Sequence, residues 1–426
     1  MRVLVAPDRF SGALTAAHAA GALARGWSER VPDDDVVQVP MSDGTAGLLD
    51  VVHAACGGRL TSVTVRGPLG APVPAAVLHV PGTGGGTAYL EGDQVLGRHL
   101  VPADQRRHAA GQGSSSSLGE LLAAGLATGA GRLVVGLPLP AAVHDGGAGV
   151  LAALSGAPAD HPLRAGGRGL ASLTADDLAG FAEAAERLST RDVVLAVPDD
   201  APLLGLHGAG AVLGQQAEVG PDLAQELERA LGHGTDLVER LVRPRRTLPQ
   251  VGQAGQAAAG HDHSHGPDGH RHGPDGGGRL PTGGRAVPRL ARSLSTGAGG
   301  GAAFLLTAMG ARALPGADVV AEAVGLPADI AAADLVLTGA GVLDAPSLTR
   351  SVVATVGRHA MSHGLPVVVV ADEVRTSRRE VAQIGVSGAY EVIHRRRDGS
   401  TAGPVSGVAV EDLARRAARL AGTWSP

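Results

Sequence analysis

Short runs of branched apolar residues alternate with longer Ala/Leu-rich stretches along this chain. Val3–Val5, Arg132–Gly136, Val193–Val197, Leu335–Thr338 and Val367–Val370 read as buried strands, each closed by Gly, Pro, Asp or Ala. Val36–Val39 is a further run of the same kind. The periodicity predicts helices over Thr15–Arg30, Leu118–Ala127, Ala175–Leu188, Asp222–Leu231, Val352–His363 and Val410–Ala421. Strands that alternate with helices make an α/β fold with mainly parallel sheets. Ligands of such sheets sit at the carboxyl ends of the strands, so the loops after Val5, Gly136, Val197, Thr338 and Val370 are where chemistry is expected.

One segment breaks this alternation. From about Arg243 to Arg292 the chain is rich in Gly, Pro, Arg, Gln and His, and apolar periodicity is absent. A structureless stretch of that length does not belong inside a compact domain, which predicts a disordered surface insertion over 243–292. His261, His263 and His265 alternate within it and could take a transition metal weakly. A neutral solvated linker is the plainer reading, because a Gly/Pro-rich tract has no rigid surroundings to orient ligands.

Composition narrows the function. With 426 residues and 44% apolar content, the chain has material for two to three domain equivalents and a sizeable core. A net charge of −5 without basic blocks argues against a nucleic-acid polymer as partner. The single cysteine, Cys56, excludes an internal disulfide and a cysteine-based zinc site. No run of 18 apolar residues suggests a membrane span, and the N-terminus lacks the plan of a signal peptide, so the cytoplasm is the expected compartment. The chain contains neither lysine nor asparagine. Any phosphate contact must therefore come from arginine, a backbone N–H or a metal, and lysine Schiff-base chemistry is excluded.

Six loops carry acids or glycines at strand ends or helix starts. They are Ala6–Ala16, with Asp8 and Arg9; Pro40–Gly47, with Asp43 and Gly44; Ala142–Gly149, with Asp145, Gly146 and Gly147; Val197–Gly205, with Asp200; Ser295–Ala302, with Gly299, Gly300 and Gly301; and Thr338–Asp344. Glycines at a helix start leave N–H groups open to phosphate oxygens. Each loop alone also reads as an ordinary turn: Asp8 as a turn residue with Thr15 capping a helix, Asp43-Gly44 as a common turn pair.

Taken in order, these loops resemble the type I glycerate kinase family. The resemblance rests on Ala6-Pro7-Asp8-Arg9-Phe10-Ser11-Gly12, Val39-Pro40-Met41-Ser42-Asp43-Gly44, Gly57-Gly58-Arg59 followed by Gly67-Pro68-Leu69-Gly70, Asp145-Gly146-Gly147-Ala148-Gly149, Asp200-Ala201-Pro202-Leu203-Leu204-Gly205, Ala323-Val324-Gly325-Leu326 and Asp334–Asp344. It runs from residue 2 to about residue 395, outside the His-rich tract. It implies two α/β domains with mainly parallel sheets, the first discontinuous and Rossmann-like over 1–65 and 293–426, the second inserted over 66–242, and a cleft between them. It implies ATP-dependent phosphorylation of glycerate or a similar small hydroxy acid, with ATP and Mg²⁺ as cofactors.

On that resemblance Asp145 and Asp200 are the expected catalytic acids. They would hold Mg²⁺, or one of them would accept the substrate hydroxyl proton. Asp8, Arg9, Asp43 and Gly44 would meet the substrate, and Gly146, Gly147, Gly299, Gly300, Gly301 and Asp344 would line the nucleotide path. The chain departs from the family at polar positions: Ser11, Ala46, Pro198, Ala201, Ala217, Ala340 and Ser351 stand where the family carries lysines, acids or an asparagine. Phosphoryl transfer depends on cations and positioning, so these losses bear directly on activity. Arg9 could replace a lost lysine as a phosphate clamp, or be a solvated surface charge. A non-catalytic paralogue acting as a binding or regulatory protein is the alternative.

Overall fold

The computed structural model describes residues 1–10, 14–242, 289–392 and 409–425. Two sheets organise it. Strands β1 (Arg2–Val5), β2 (Asp35–Gln38), β9 (Leu335–Leu343), β10 (Val367–Val374) and β11 (Gly388–Glu391) form an all-parallel sheet of order β11-β10-β9-β1-β2. Strands β3 (Arg59–Arg66), β4 (Pro72–Val80), β5 (Thr87–Glu91), β6 (Arg132–Gly136), β7 (Asp192–Val197) and β8 (Arg312–Pro315) form the second sheet, in chain order. Its β3–β4 and β4–β5 pairings are antiparallel and the rest are parallel. This is the expected α/β fold with mainly parallel sheets, the first of them discontinuous in sequence.

Both sheets are covered on two faces, which is why their strands read as unbroken apolar runs. Alternate residues serve different layers. In the first sheet Val3, Val5, Leu335, Leu337, Val368 and Val370 pack against the helices Ala16–Arg30 and Val410–Trp424 around a fully buried Trp27. Leu4, Val336, Val367 and Val369 face the other way. There they share one core with Val51 and Val52 of the helix Leu48–Cys56, Val320 of Gly316–Val324, and Val134, Val194 and Ala196 of the second sheet. The second sheet's remaining face, Leu133, Val135, Val193 and Leu195, packs with Leu121, Leu151, Leu188 and Phe304. A shared helical layer thus joins the two sheets.

The element boundaries differ from expectation where apolar periodicity is weak. Helix 175–188 is interrupted: a short turn at Asp176–Leu178 is followed by Phe181–Ser189, with Gly180 between. The second helix near 222 continues to Val242. Strand β8 lies in the second sheet, although the sequence reading placed 293–426 with the first. With only Ala313 and Leu314 as apolar residues, this strand leaves little trace in the pattern, and its membership follows from Phe304 and Leu305 just before it, buried in the second core. Most of β3 likewise precedes the expected boundary at residue 66. Of the expected insertion, residues 289–292 are described and hold a short turn, Leu290–Arg292, with Ala291 buried. His261, His263, His265 and the expected disorder of 243–288 lie outside the described residues.

Candidate active site

The loop after β2 stitches the carboxyl ends of the two sheets together. Gly44 has φ +89°, and a Cβ there would lie 2.9 Å from both the Ala196 Cβ and the Gly316 Cα. A Cβ on Gly136 would lie 1.9 Å from the Gly44 carbonyl oxygen, and one on Gly316 1.9 Å from that of Asp43. Only glycines permit this approach between the ends of β2, β6 and β7 and the start of the Gly316–Val324 helix.

The loop after β1 runs alongside. Asp8 N donates to Gly339 O at 2.8 Å, Met41 N donates to Pro7 O at 2.9 Å, and Thr338 Oγ1 donates to Ala6 O at 2.6 Å. Asp8 is partly buried, and its Oδ1 accepts from Arg9 N at 2.7 Å. Burial pushes its carboxyl well above the usual range, and the neighbouring Asp43 charge adds to the shift. Asp43 Oδ1 accepts from Thr45 N at 3.0 Å and Thr45 Oγ1 at 2.5 Å. Neither acid's Oδ2 has a donor among the described residues. Arg9 is exposed and makes no ion pair among them.

Asp145 is in a different situation. It is fully buried, and its Oδ2 accepts from Ser115 N at 2.8 Å, Ser115 Oγ at 2.9 Å and Gly149 N at 3.1 Å. Its Oδ1 accepts from Gly147 N at 3.1 Å. Burial raises its pKa, and these four donors oppose the shift. The following glycines interlock with the Gly299–Gly301 turn: Gly146 N donates to Gly300 O at 2.9 Å, and Gly299 N donates to Pro138 O at 2.8 Å. A Cβ on Gly300 would lie 2.0 Å from Val143 O, and one on Gly301 2.7 Å from Gly146 Cα. Gly299, Gly300 and Gly301 are all buried. Beside them, burial pushes His144 down to about 4, so its ring is neutral.

Asp200 lies at the carboxyl end of β7 with its side chain exposed. Its carbonyl accepts from Ser295 N at 2.9 Å, and the Ser295 Oγ accepts from Arg350 Nη1, also at 2.9 Å. Ser295 has φ +70°, the one described non-glycine residue in the left-handed region. This chain of contacts ties a loop of the second sheet to the start of the Val352–Ser362 helix, which packs on the first. Asp344 closes the turn before that helix: its Oδ1 accepts from Ser347 N at 3.1 Å and Ser347 Oγ at 2.7 Å.

Of the residues singled out in the sequence, Asp8, Arg9, Asp43 and Gly44 therefore share one junction. Asp145, Gly146, Gly147 and Gly299–Gly301 form a separate buried knot, and Asp200 and Asp344 border the Ser295–Arg350 bridge. Two residues escaped the reading. Arg350 sits one position before Ser351, where a lysine was sought. Glu91, at the end of β5, is 8% exposed and accepts from Leu49 N at 3.0 Å, and burial pushes it up to about 7. No group of three or more potential metal ligands occurs among the described residues, and none of the described helices is long and apolar enough to cross a membrane.

A sequence model of the glycerate kinase family matches residues 3–265 and 284–423. A glycerate kinase from Bacillus subtilis is 30% identical over 397 residues, covering 92% of this chain and 90% of its own. A glycerate 2-kinase from Escherichia coli is 28% identical over 399 residues, covering 92% and 91%. The crystal structure of a protein assigned as glycerate kinase 2 in Salmonella typhimurium LT2 superposes with a TM-score of 0.70 at 26% identity, covering 99% of this chain and 98% of that one.

Proposed function

Because the chain belongs to the glycerate kinase family, we propose that it transfers a phosphoryl group from ATP to a hydroxyl of glycerate, in the cytoplasm, where the carboxyl ends of its two sheets meet. The observation that carries this reading is the junction at Gly44. It joins both sheets at their ligand-binding ends and leaves two carboxylates, Asp8 and Asp43, each with an oxygen lacking a partner among the described residues. No feature of the described residues favours the non-catalytic alternative.

The fit to Mg²⁺ separates the acids. Asp145 does not fit, because its carboxylate has no solvent exposure for a hydrated cation and already accepts four hydrogen bonds. The Asp8–Asp43 pair fits: two repelling carboxylates, each with an oxygen that lacks a donor among the described residues, suit a cation that keeps several waters. When bound there, Mg²⁺ would supply positive charge to the phosphates. Arg9 and Arg350 are the arginines placed to hold phosphate oxygens, in a chain without lysine. Asp200, exposed beside the Ser295 bridge, is the proposed acceptor of the substrate hydroxyl proton. Asp145 holds the 145–149 turn in place, and Asp344 holds the turn that presents Arg350.

A coupled ADP-release assay with D-glycerate, ATP and Mg²⁺ tests the reading. ADP release that depends on D-glycerate is expected, with Arg350→Ala slower than wild type. Absence of turnover together with absence of nucleotide affinity would overturn it.

A further inference from the structure

The turn after β3 borders a surface pocket of about 280 Å³ that shares no residue with the proposed active site. Its polar lining is Arg66, Arg164, His108, Gln112, Ser114 and Ser116. Two guanidinium groups face this space from different parts of the chain. Arg164 is held rigidly: its Nε donates to Pro158 O at 3.1 Å, its Nη2 to Ala157 O at 3.0 Å, and its Nη1 to Ser116 Oγ at 3.0 Å. It has no carboxylate partner among the described residues. Burial lowers its pKa, the Arg66 charge lowers it further, and the Glu120 charge opposes the shift. Arg66 gives its Nε to Glu120 Oε1 at 3.0 Å, and its two terminal nitrogens have no partner among the described residues. One carboxylate thus faces two guanidinium groups.

The N-terminus of the helix Ser116–Ala127 adds to this positive excess. Like charges are not brought together around one pocket without cost, and a bound anion removes that cost. A monocarboxylate would satisfy one guanidinium fork. A phosphate dianion has enough oxygens for the Arg66 terminal nitrogens, for the Arg164 Nη1 hydrogen that Ser116 leaves over, and for the serine hydroxyls. The volume suits a molecule well below drug size.

We propose that Arg66 and Arg164, with Ser114 and Ser116, form a binding site for a small phosphate-bearing anion, separate from the loops that would hold ATP and glycerate. The site rests on this pocket alone and does not depend on the kinase reading. Isothermal titration of the full chain with inorganic phosphate tests it, with acetate as the carboxylate probe. Saturable phosphate binding is expected in the wild type, weakened at least tenfold in Arg66→Gln and in Arg164→Gln, with acetate much weaker than phosphate. Arg164→Gln removes contacts to three carbonyls and is open to misfolding; Arg66 is exposed, so Arg66→Gln decides alone if that happens. Three results would overturn the proposal: no saturable phosphate binding to the wild type, equal affinity in Arg66→Gln, or acetate binding as tightly as phosphate.

Discussion

The chain builds the same turn twice, once at the end of each sheet, and uses the two copies differently. Asp43-Gly44-Thr45-Ala46-Gly47 leads into the helix Leu48–Cys56, and Asp145-Gly146-Gly147 leads into Ala148–Leu154. Both helices start from a glycine in the left-handed region, Gly47 at φ 85°, ψ 4° and Gly147 at φ 85°, ψ 7°. In the second copy the aspartate itself caps the helix, accepting from Gly147 N and Gly149 N, and Ser115 N and Oγ also donate to its Oδ2. In the first copy Glu91 arrives from β5 to accept from Leu49 N. Among the described residues Asp43 then accepts only from Thr45, and its Oδ2 has no donor. An acid is free for chemistry where another residue does its capping.

The sharpest way to break this comparison is to exchange the roles. Asp8→Asn and Asp43→Asn should lower turnover by about a thousandfold or more, roughly 4 kcal/mol of barrier, while leaving the melting temperature close to that of the wild type. Asp145→Asn should do the reverse in kind. An amide NH₂ cannot accept, so buried donors around Ser115 and Gly149 lose their partner, and the fold should lose about 3 kcal/mol in urea titration. A stable Asp145→Asn with abolished turnover would return Asp145 to the catalytic centre.

Glu91 sharpens the comparison through pH. Its folded pKa of about 7 lies above the usual carboxylate value of 4.5, because burial disfavours the charge. The unfolded chain therefore releases this proton at lower pH than the native one does. Its contribution to stability is fully present below about pH 4.5 and is lost as pH rises through 7. Glu91→Gln keeps an acceptor for Leu49 N and removes the charge. The stability difference, variant minus wild type, should grow from near zero at pH 4.5 to about 3 kcal/mol at pH 8. Parallel stability curves for the two proteins would show that Glu91 does not hold its proton in the folded state.

Much of this was legible in the residues. Buried parallel strands declare themselves as apolar runs, and the rule that ligands gather at strand ends selects the loops after Val5 and Val197, which hold Asp8 and Asp200. The hairpin β3–β4 was not legible, because Thr61-Ser62 breaks the polar/apolar alternation of Arg59–Arg66 on a largely exposed edge. Asp145 and Asp43 could not be told apart, since each is an Asp-Gly pair before a helix. What separates them comes from Ser115 and Glu91, 30 and 48 residues away in sequence respectively, through contacts that local pattern does not encode. Glycine permits a close approach, and at the glycine runs the approaching group is backbone, Val143 and Gly146 against Gly300 and Gly301. Arg350 carries no signal of its own in the sequence, and its neighbour Ser351 caps a helix by accepting from Ala354 N.

The smallest expected effect separates the two arginines proposed as phosphate clamps. Arg9 is exposed, and its guanidinium has no ion pair among the described residues, so a bound phosphate would have to order it. Arg350 is already oriented by Ser295 Oγ at 2.9 Å. An unordered side chain spends part of its attraction on lost rotamer freedom, and an exposed charge is screened by salt. Arg9→Ala should therefore raise the KM for ATP about tenfold, close to 1.4 kcal/mol, with kcat nearly unchanged. That KM effect should shrink when ionic strength is raised from 0.05 to about 0.5 M, as the Debye length falls well below 10 Å. Arg350→Ala should lower kcat by more than Arg9→Ala does, and with a weaker salt dependence, because its contact is preorganised. A kcat loss in Arg9→Ala equal to that in Arg350→Ala would place both arginines at the transferring phosphate and remove the distinction between them.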